Sequence, residues 1–161
     1  MSARILLSLL LLVALVPHAE AGSSKKGKAQ ISFHLQADDS ENPKMTFPMA
    51  SNGRQFFFRR IPEITHKDVA GVKAIPNREN PKVYDLVLQL NQRGSNRLAN
   101  ISNANQGAWF GALLNGRSSG AVVIDGPIND GVLVIWGSAT DADLTTLRKA
   151  FPKTYQGPPA P

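Results

Sequence analysis

The clearest alternation of apolar and polar positions begins at Val83. Tyr84, Leu86, Leu88 and Leu90 fall on one face of an extended segment, with Asp85 and Gln89 on the other. That period of two marks a strand buried on one side. The polar stretch from Asn91 to Gln106 carries Leu98 and Ile101 at helical spacing, which predicts a helix from about Ser95 to Ser102 with one buried stripe. Two strands follow, Ala108 to Leu114 and Ala121 to Asp125, and Asn115-Gly116 opens their connection. Gly116 is expected at positive φ there, and the Gly/Ser-rich stretch to Gly120 reads as a hairpin loop. Gly126-Pro127 marks a turn, and Val132 to Trp136 is a short, almost wholly apolar strand. The last helix has the fullest signal. Thr140 stands at its N-cap with Asp143 three residues on, and Leu144, Leu147 and Phe151 share one face. Asp141 and Asp143 sit at the positive end of the helix dipole, Arg148, Lys149 and Lys153 at the negative end.

The first half is less regular. Ile31, Phe33 and Leu35 alternate with Ser32, His34 and Gln36, a strand with His34 on its polar face. Met45 to Met49 and Gln55 to Arg60 read as a hairpin turned at Ser51-Asn52-Gly53. Phe56, Phe57 and Phe58 put rings on both faces, so both are expected to be at least partly covered. Thr65 caps a predicted short helix over His66 to Ala70, with Asp68 at its third position and Gly71 as its stop. Together these elements predict one α+β domain over residues 31–153. Its sheet is mainly antiparallel and carries the helices on one face. The expected core includes Leu86, Leu88, Leu98, Ile101, Leu113, Val123, Val134, Leu144 and Leu147. Trp109 and Trp136, inside apolar strands, are also assigned to it. Residues 154–161 form a Pro-rich tail, expected to be extended or disordered.

Residues 1–21 read as a signal peptide. Arg4 supplies the positive start, Ile5 to Val16 is apolar except for Ser8, and Pro17 breaks the run. Ala19 and Ala21 occupy the small-residue positions of an A-x-A cleavage site before Gly22. The apolar run is about twelve residues, short of the roughly twenty that span a bilayer. Cleavage after Ala21 is expected to release an exported, periplasmic or extracellular protein without a transmembrane segment. Residues 22–30, with Lys25, Lys26 and Lys28, read as a flexible basic leader.

Composition narrows the chemistry. The chain has no cysteine, which excludes disulfides, thiol catalysis and thiolate metal sites. Its net charge of +6 is scattered rather than clustered, which favours a solubility charge over a nucleic-acid surface. Past the signal only His34 and His66 remain, too few for a zinc site without cysteine. Asp38, Asp39 and Glu41 form an acidic loop without the EF-hand pattern. Asn100-Ile101-Ser102 is a formal glycosylation sequon. Gly116-Arg117-Ser118-Ser119-Gly120 matches G-x-S-x-G literally. A nucleophile elbow needs a helix after the serine and a histidine further on; here a strand follows, and no histidine occurs after His66. No catalytic, cofactor or metal residue is assigned.

Several segments resemble, in order, the first periplasmic domain of the SecD and fused SecDF protein-export subunits, in particular its head subdomain. These are Pro62-Glu63-Ile64-Thr65 with Lys67-Asp68-Val69, Tyr84 to Leu90 with Asn91-Gln92-Arg93-Gly94, and Asn103-Ala104-Asn105-Gln106-Gly107 before Trp109. Leu113-Leu114-Asn115-Gly116, Ile128-Asn129-Asp130-Gly131, Val134-Ile135-Trp136-Gly137 and the helix from Thr140 continue the series. The resemblance covers residues 62–151 and leaves 31–60 unaligned. It implies a head-like α+β fold and a non-enzymatic module that binds protein or peptide segments, by a strand edge among other modes. Members of that family carry several transmembrane helices; this sequence has none after its signal. An envelope hydrolase and adhesion to anionic envelope polymer are the alternative readings.

Overall fold

The structure is a computed structural model that describes residues 29–38, 40–51 and 53–158. The signal peptide with Ala19 and Ala21, most of the basic leader, Asp39, Asn52 and residues 159–161 lie outside the described residues.

The strands are β1 (Ile31–Leu35), β2 (Thr46–Ser51), β3 (Arg54–Arg59), β4 (Ile64–Thr65), β5 (Val69–Pro76), β6 (Tyr84–Leu90), β7 (Trp109–Leu114), β8 (Arg117–Val123) and β9 (Val132–Ala139). The helices are α1 (Gln92–Ala104) and α2 (Asp141–Ala150). The fold is α+β with antiparallel strand pairing, distributed over three sheets ordered β4-β1-β7-β8, β2-β3 and β5-β6-β9. The two larger sheets and both helices send side chains into one apolar core.

Register explains which residues reach that core. In the four-stranded sheet Ile31, Phe33 and Leu35 lie opposite Leu114, Ala112 and Phe110, so all six share the buried face. In the three-stranded sheet Val72, Leu88 and Leu133 form one cross-strand row, and Ala74, Leu86 and Ile135 the next. Leu98 of α1 and Leu144 and Leu147 of α2 complete the core. Burying each of these large side chains contributes about 1.5–3 kcal/mol. The expected core needs correction at four positions. Ile101, Leu113 and Val134 are half-buried, and Val123 is exposed. The last three belong to the opposite phase of their strands, because Leu114, Val122, Leu133 and Ile135 take the inward positions.

Two local expectations also change. His66 to Asp68 form only a single 3-10 turn, and Val69–Pro76 is the strand β5 rather than a helix ended by Gly71. The helix α1 is longer than its apolar stripe, because Asn91 caps it by accepting from the Gly94 N–H at 2.9 Å. The described part of the tail, through Pro158, is extended at Gln156, in keeping with one of the two expected forms. Gln156 makes a parallel bridge beside Lys73, its N–H donating to the Val72 carbonyl at 2.9 Å.

The β2-β3 hairpin lies over the face of the four-stranded sheet that points away from the core. Phe58 is fully buried there, Phe47 packs beside both Phe58 and His34, and Met49 and Phe58 both face Gly111. Phe57 points outward and is half exposed, so only one face of the triple-phenylalanine strand is covered. His34 is 5% exposed and not on a solvated face. Its Nδ1–H donates to the Arg59 carbonyl at 2.7 Å, and the Ser32 hydroxyl meets Nε2 at 2.9 Å. Gly111, opposite His34, leaves room for the hairpin; a Cβ there would stand 2.2 Å from Met49 Cε and 2.8 Å from the Phe58 ring.

Two predictions follow from this docking. Gly111→Ala is expected to lower stability by about 1–3 kcal/mol, the usual cost of overpacking a filled interior. An unchanged denaturation midpoint would show that the hairpin does not need the gap. Burial pushes the His34 imidazole below its ordinary value of 6.5, against the Arg59 carbonyl and Glu63, which favour its charged form. The unfolded chain therefore takes up the proton first as pH falls. The His34 contribution is complete above about pH 6.5 and declines as pH drops from there through the lower folded value. In denaturant titrations, His34→Gln is expected to flatten this part of the stability–pH profile.

Candidate functional site: a cleft between two unpaired strand edges

The two large sheets share a core without joining through a common strand. Among the described residues β8 pairs only with β7, and β9 only with β6. Their free edges border a cleft of about 360 Å³. Phe33, Phe110 and Ala112 line it from the core side, Val122 and Ala121 from β8, and Val134, Ile135 and Trp136 from β9. Phe33 and Phe110 stack with ring centroids 5.5 Å apart. Among the described residues no ionisable side chain lines this cleft. It therefore suits an uncharged, largely apolar occupant.

The β8 rim keeps hydrogen-bonding capacity. Its carbonyls at Ser119 and Ala121 are met by the hydroxyls of Ser138 and Ser51, both at 3.5 Å. These contacts are longer than a good hydroxyl bond, typically about 2.5–3.0 Å. An incoming N–H can replace them at small cost. β8 is also irregular. Its pairing with β7 shifts between Gly111 and Leu113, and Gly120 has φ +95°. Such a bulge turns an edge away from continuous pairing.

Trp136 also departs from its expected place. It is 63% exposed at the cleft rather than buried in the core. An all-apolar strand does not reveal which of its two faces is inward. The phase of β9 is set by Leu133 and Ile135 opposite Leu88 and Leu86. Trp109 is half-buried under Phe56, with centroids 4.5 Å apart.

Outside the cleft lining, a buried carboxylate joins the start of β8 to the residue that follows β9. Asn115 and Gly116 form the tight β7-β8 turn, both at positive φ, 53° and 79°. Thr140 and Asp143 form a capping box at the start of α2. The structure brings the turn and the cap together. Asp143, 5% exposed, accepts from Thr140 N at 2.9 Å, Thr140 Oγ1 at 2.8 Å, Asn115 Nδ2 at 2.7 Å and Arg117 Nη2 at 2.5 Å. Arg117 was not singled out in sequence, since nothing in its local pattern points to a carboxylate 26 positions away.

The remaining candidates stay apart. Ser118 is exposed within β8, and Arg117–Gly120 is strand rather than loop; no helix follows the serine as an elbow requires. Asp38 accepts from Ser40, and Glu41 pairs with Arg59 at 2.7 Å. Among the described residues no three His, Asp or Glu side chains converge on a metal site. No helix among them is long and apolar enough to cross a membrane.

The turn and the serine separate two roles in one experiment. A Cβ at Gly116 would meet nothing within 4 Å, so Gly116→Val acts only through its positive φ. Strain of that kind costs about 1–3 kcal/mol. The melting temperature is expected to fall for Gly116→Val and to stay unchanged for Ser118→Ala. A catalytic serine would reveal itself if Ser118→Ala abolished a measured turnover with no change in melting.

Two solved structures are similar to this fold. One, of a membrane component SecDF that enhances protein export, is 17% identical, covering 78% of this chain and 63% of its own length, with a TM-score of 0.57. Another, of SecDF in a super-membrane-facing form, is also 17% identical and covers 78% of this chain but 19% of its own, with a TM-score of 0.55. The chain thus spans less than two thirds of either structure. No family model matches the sequence, and no curated protein matches it. The α+β architecture expected from the ordered SecDF-like segments is the architecture these SecDF chains share with the protein.

Proposed function

We propose that the protein is an exported, non-enzymatic module that binds extended, mainly apolar polypeptide segments in the cleft between β8 and β9. The observation that carries this reading is the pair of unpaired strand edges bordering an uncharged cleft. An added strand would gain main-chain hydrogen bonds along a rim, while alternate side chains enter the apolar space. Trp136 offers a rigid aromatic anchor at the mouth, a residue type enriched where binding energy concentrates. The fold similarity to a SecDF that enhances protein export supports polypeptide as the ligand class. A link to protein export for this chain belongs to the same proposal.

A fluorescent extended peptide of Val, Ala and Ser residues tests it. Saturable binding is expected, with little dependence on salt. Trp136→Ala should weaken it about tenfold, as loss of an aromatic anchor does. An N-methylated copy of the peptide should bind poorly, since it lacks the N–H groups for strand addition. Binding that collapses steeply with salt would point instead to charge-driven adhesion. Turnover of the peptide would point to a hydrolase.

A further inference from the structure

We propose that Asp143 is a clasp that fixes the width of the cleft, with Arg117 as its release point. The geometry is specific to the two strands that border the cleft. β8 starts at Arg117 and β9 ends at Ala139, one residue before the α2 cap at Thr140. Both strand ends therefore meet the same buried carboxylate: β8 through Arg117 and Asn115, β9 through the backbone and hydroxyl of Thr140. Next to this junction, Ser138 Oγ and the Ser119 carbonyl are 3.5 Å apart, a direct approach of the two rims. β8 and β9 share no ladder hydrogen bonds. Charge-assisted bonds to Asp143 therefore do the work that a shared ladder would do in a continuous sheet.

The two sides of the clasp are unequal. The Thr140 side is internal to the α2 capping box and is fixed by the helix itself. On the β8 side, the Arg117 side chain is about half exposed, while that of Asp143 is 6% exposed. The β8 end can therefore let go without uncapping α2. When it does, the hairpin's remaining bond to Asp143 among the described residues is that of Asn115, whose side chain also accepts from the Gln30 N–H at 3.1 Å. A wider, looser cleft loses the preorganisation that an incoming strand depends on. This functional consequence rests on the peptide-binding reading; the effect on cleft width does not.

The absence of cysteine makes the test clean. Spin labels at Ser118→Cys on β8 and Ala142→Cys in the first turn of α2, both exposed positions, report the separation across the clasp. The expected result is one narrow distance distribution in the otherwise native chain. Arg117→Ala should give a broader distribution shifted to longer distance, and Arg117→Lys, which keeps a cation, should restore it in part. Arg117→Ala should also weaken the Val/Ala/Ser peptide about three- to tenfold, the range for residues that act on a site without touching its ligand. Arg117→Ala spares Thr140 and Asp143, so a retained circular dichroism spectrum and cooperative melt are expected. An unchanged distribution in Arg117→Ala overturns the clasp, whatever the peptide does. A broadened distribution with unchanged affinity overturns its link to binding. A native chain that binds no peptide defeats the proposed function, and the distance measurement still decides the clasp.

Discussion

Two sheets must share one core without sharing a strand, and most of the structure follows from that constraint. The four-stranded and three-stranded sheets each turn one face inward, and the apolar rows of those faces enter the same cluster with Leu98, Leu144 and Leu147. A continuous sheet would have closed the gap between β8 and β9 with ladder bonds. Here the gap stays open, and aromatic side chains lie within reach of it. The hairpin β2-β3 solves a related problem on the outer side, where it covers Gly111 and His34. The four-stranded sheet is thus packed on both faces, while the outer face of β5-β6-β9 keeps Ile75 and Trp136 exposed.

Where packing alone does not hold neighbouring elements in place, buried carboxylates join them. Asp68 and Asp143 play the same part at two seams. Each sits three residues after a threonine, accepts from that threonine's N–H and hydroxyl, and binds an arginine from another element. For Asp68, burial works against ionisation, yet the Thr65 N–H and hydroxyl and Arg93 outweigh it and hold the carboxyl below its usual range. The Asp68 carbonyl also accepts from Asn91 N at 2.8 Å, which sets α1 against the 3-10 turn. With no disulfide to staple the chain, these polar junctions supply direction where apolar packing supplies only area.

What the sequence revealed depended on whether a polar residue marked the phase of each element. β6 was legible because Asp85 and Gln89 stand between its leucines, and α2 because Thr140, Asp143 and its terminal charges agree with its apolar stripe. β7 and β9 were recognisable as strands, but their inward faces were not, since both faces are apolar and only the register with β1 and β6 selects one. β5 was hidden because Ala70, Gly71 and Lys73 are weak strand formers; pairing with β6 imposes the strand. His34 follows the strand alternation faithfully, yet a hairpin that local sequence does not position turns its polar side into an interior. The cleft was the least legible feature of all. It is a space between two edges, and no segment of sequence carries it.

The pairing of β1 with β7 has a consequence for how the molecule comes into being. Ile31 lies opposite Leu114, and Gln156 bridges Lys73. In a chain made from its N-terminus, β1 has the two-residue strand β4 as its ladder partner within the four-stranded sheet, and the β2-β3 hairpin against its outer face, until Trp109–Leu114 has been synthesised. The first third of the polypeptide cannot reach its final sheet early, and the edge of β5 waits longer still for its covering segment. Topology of this kind delays closure, because distant partners must meet before their contacts reward the loss of chain entropy. The hairpins β2-β3 and β5-β6 can pair early, whereas the four-stranded sheet cannot be completed before Leu114 has been made.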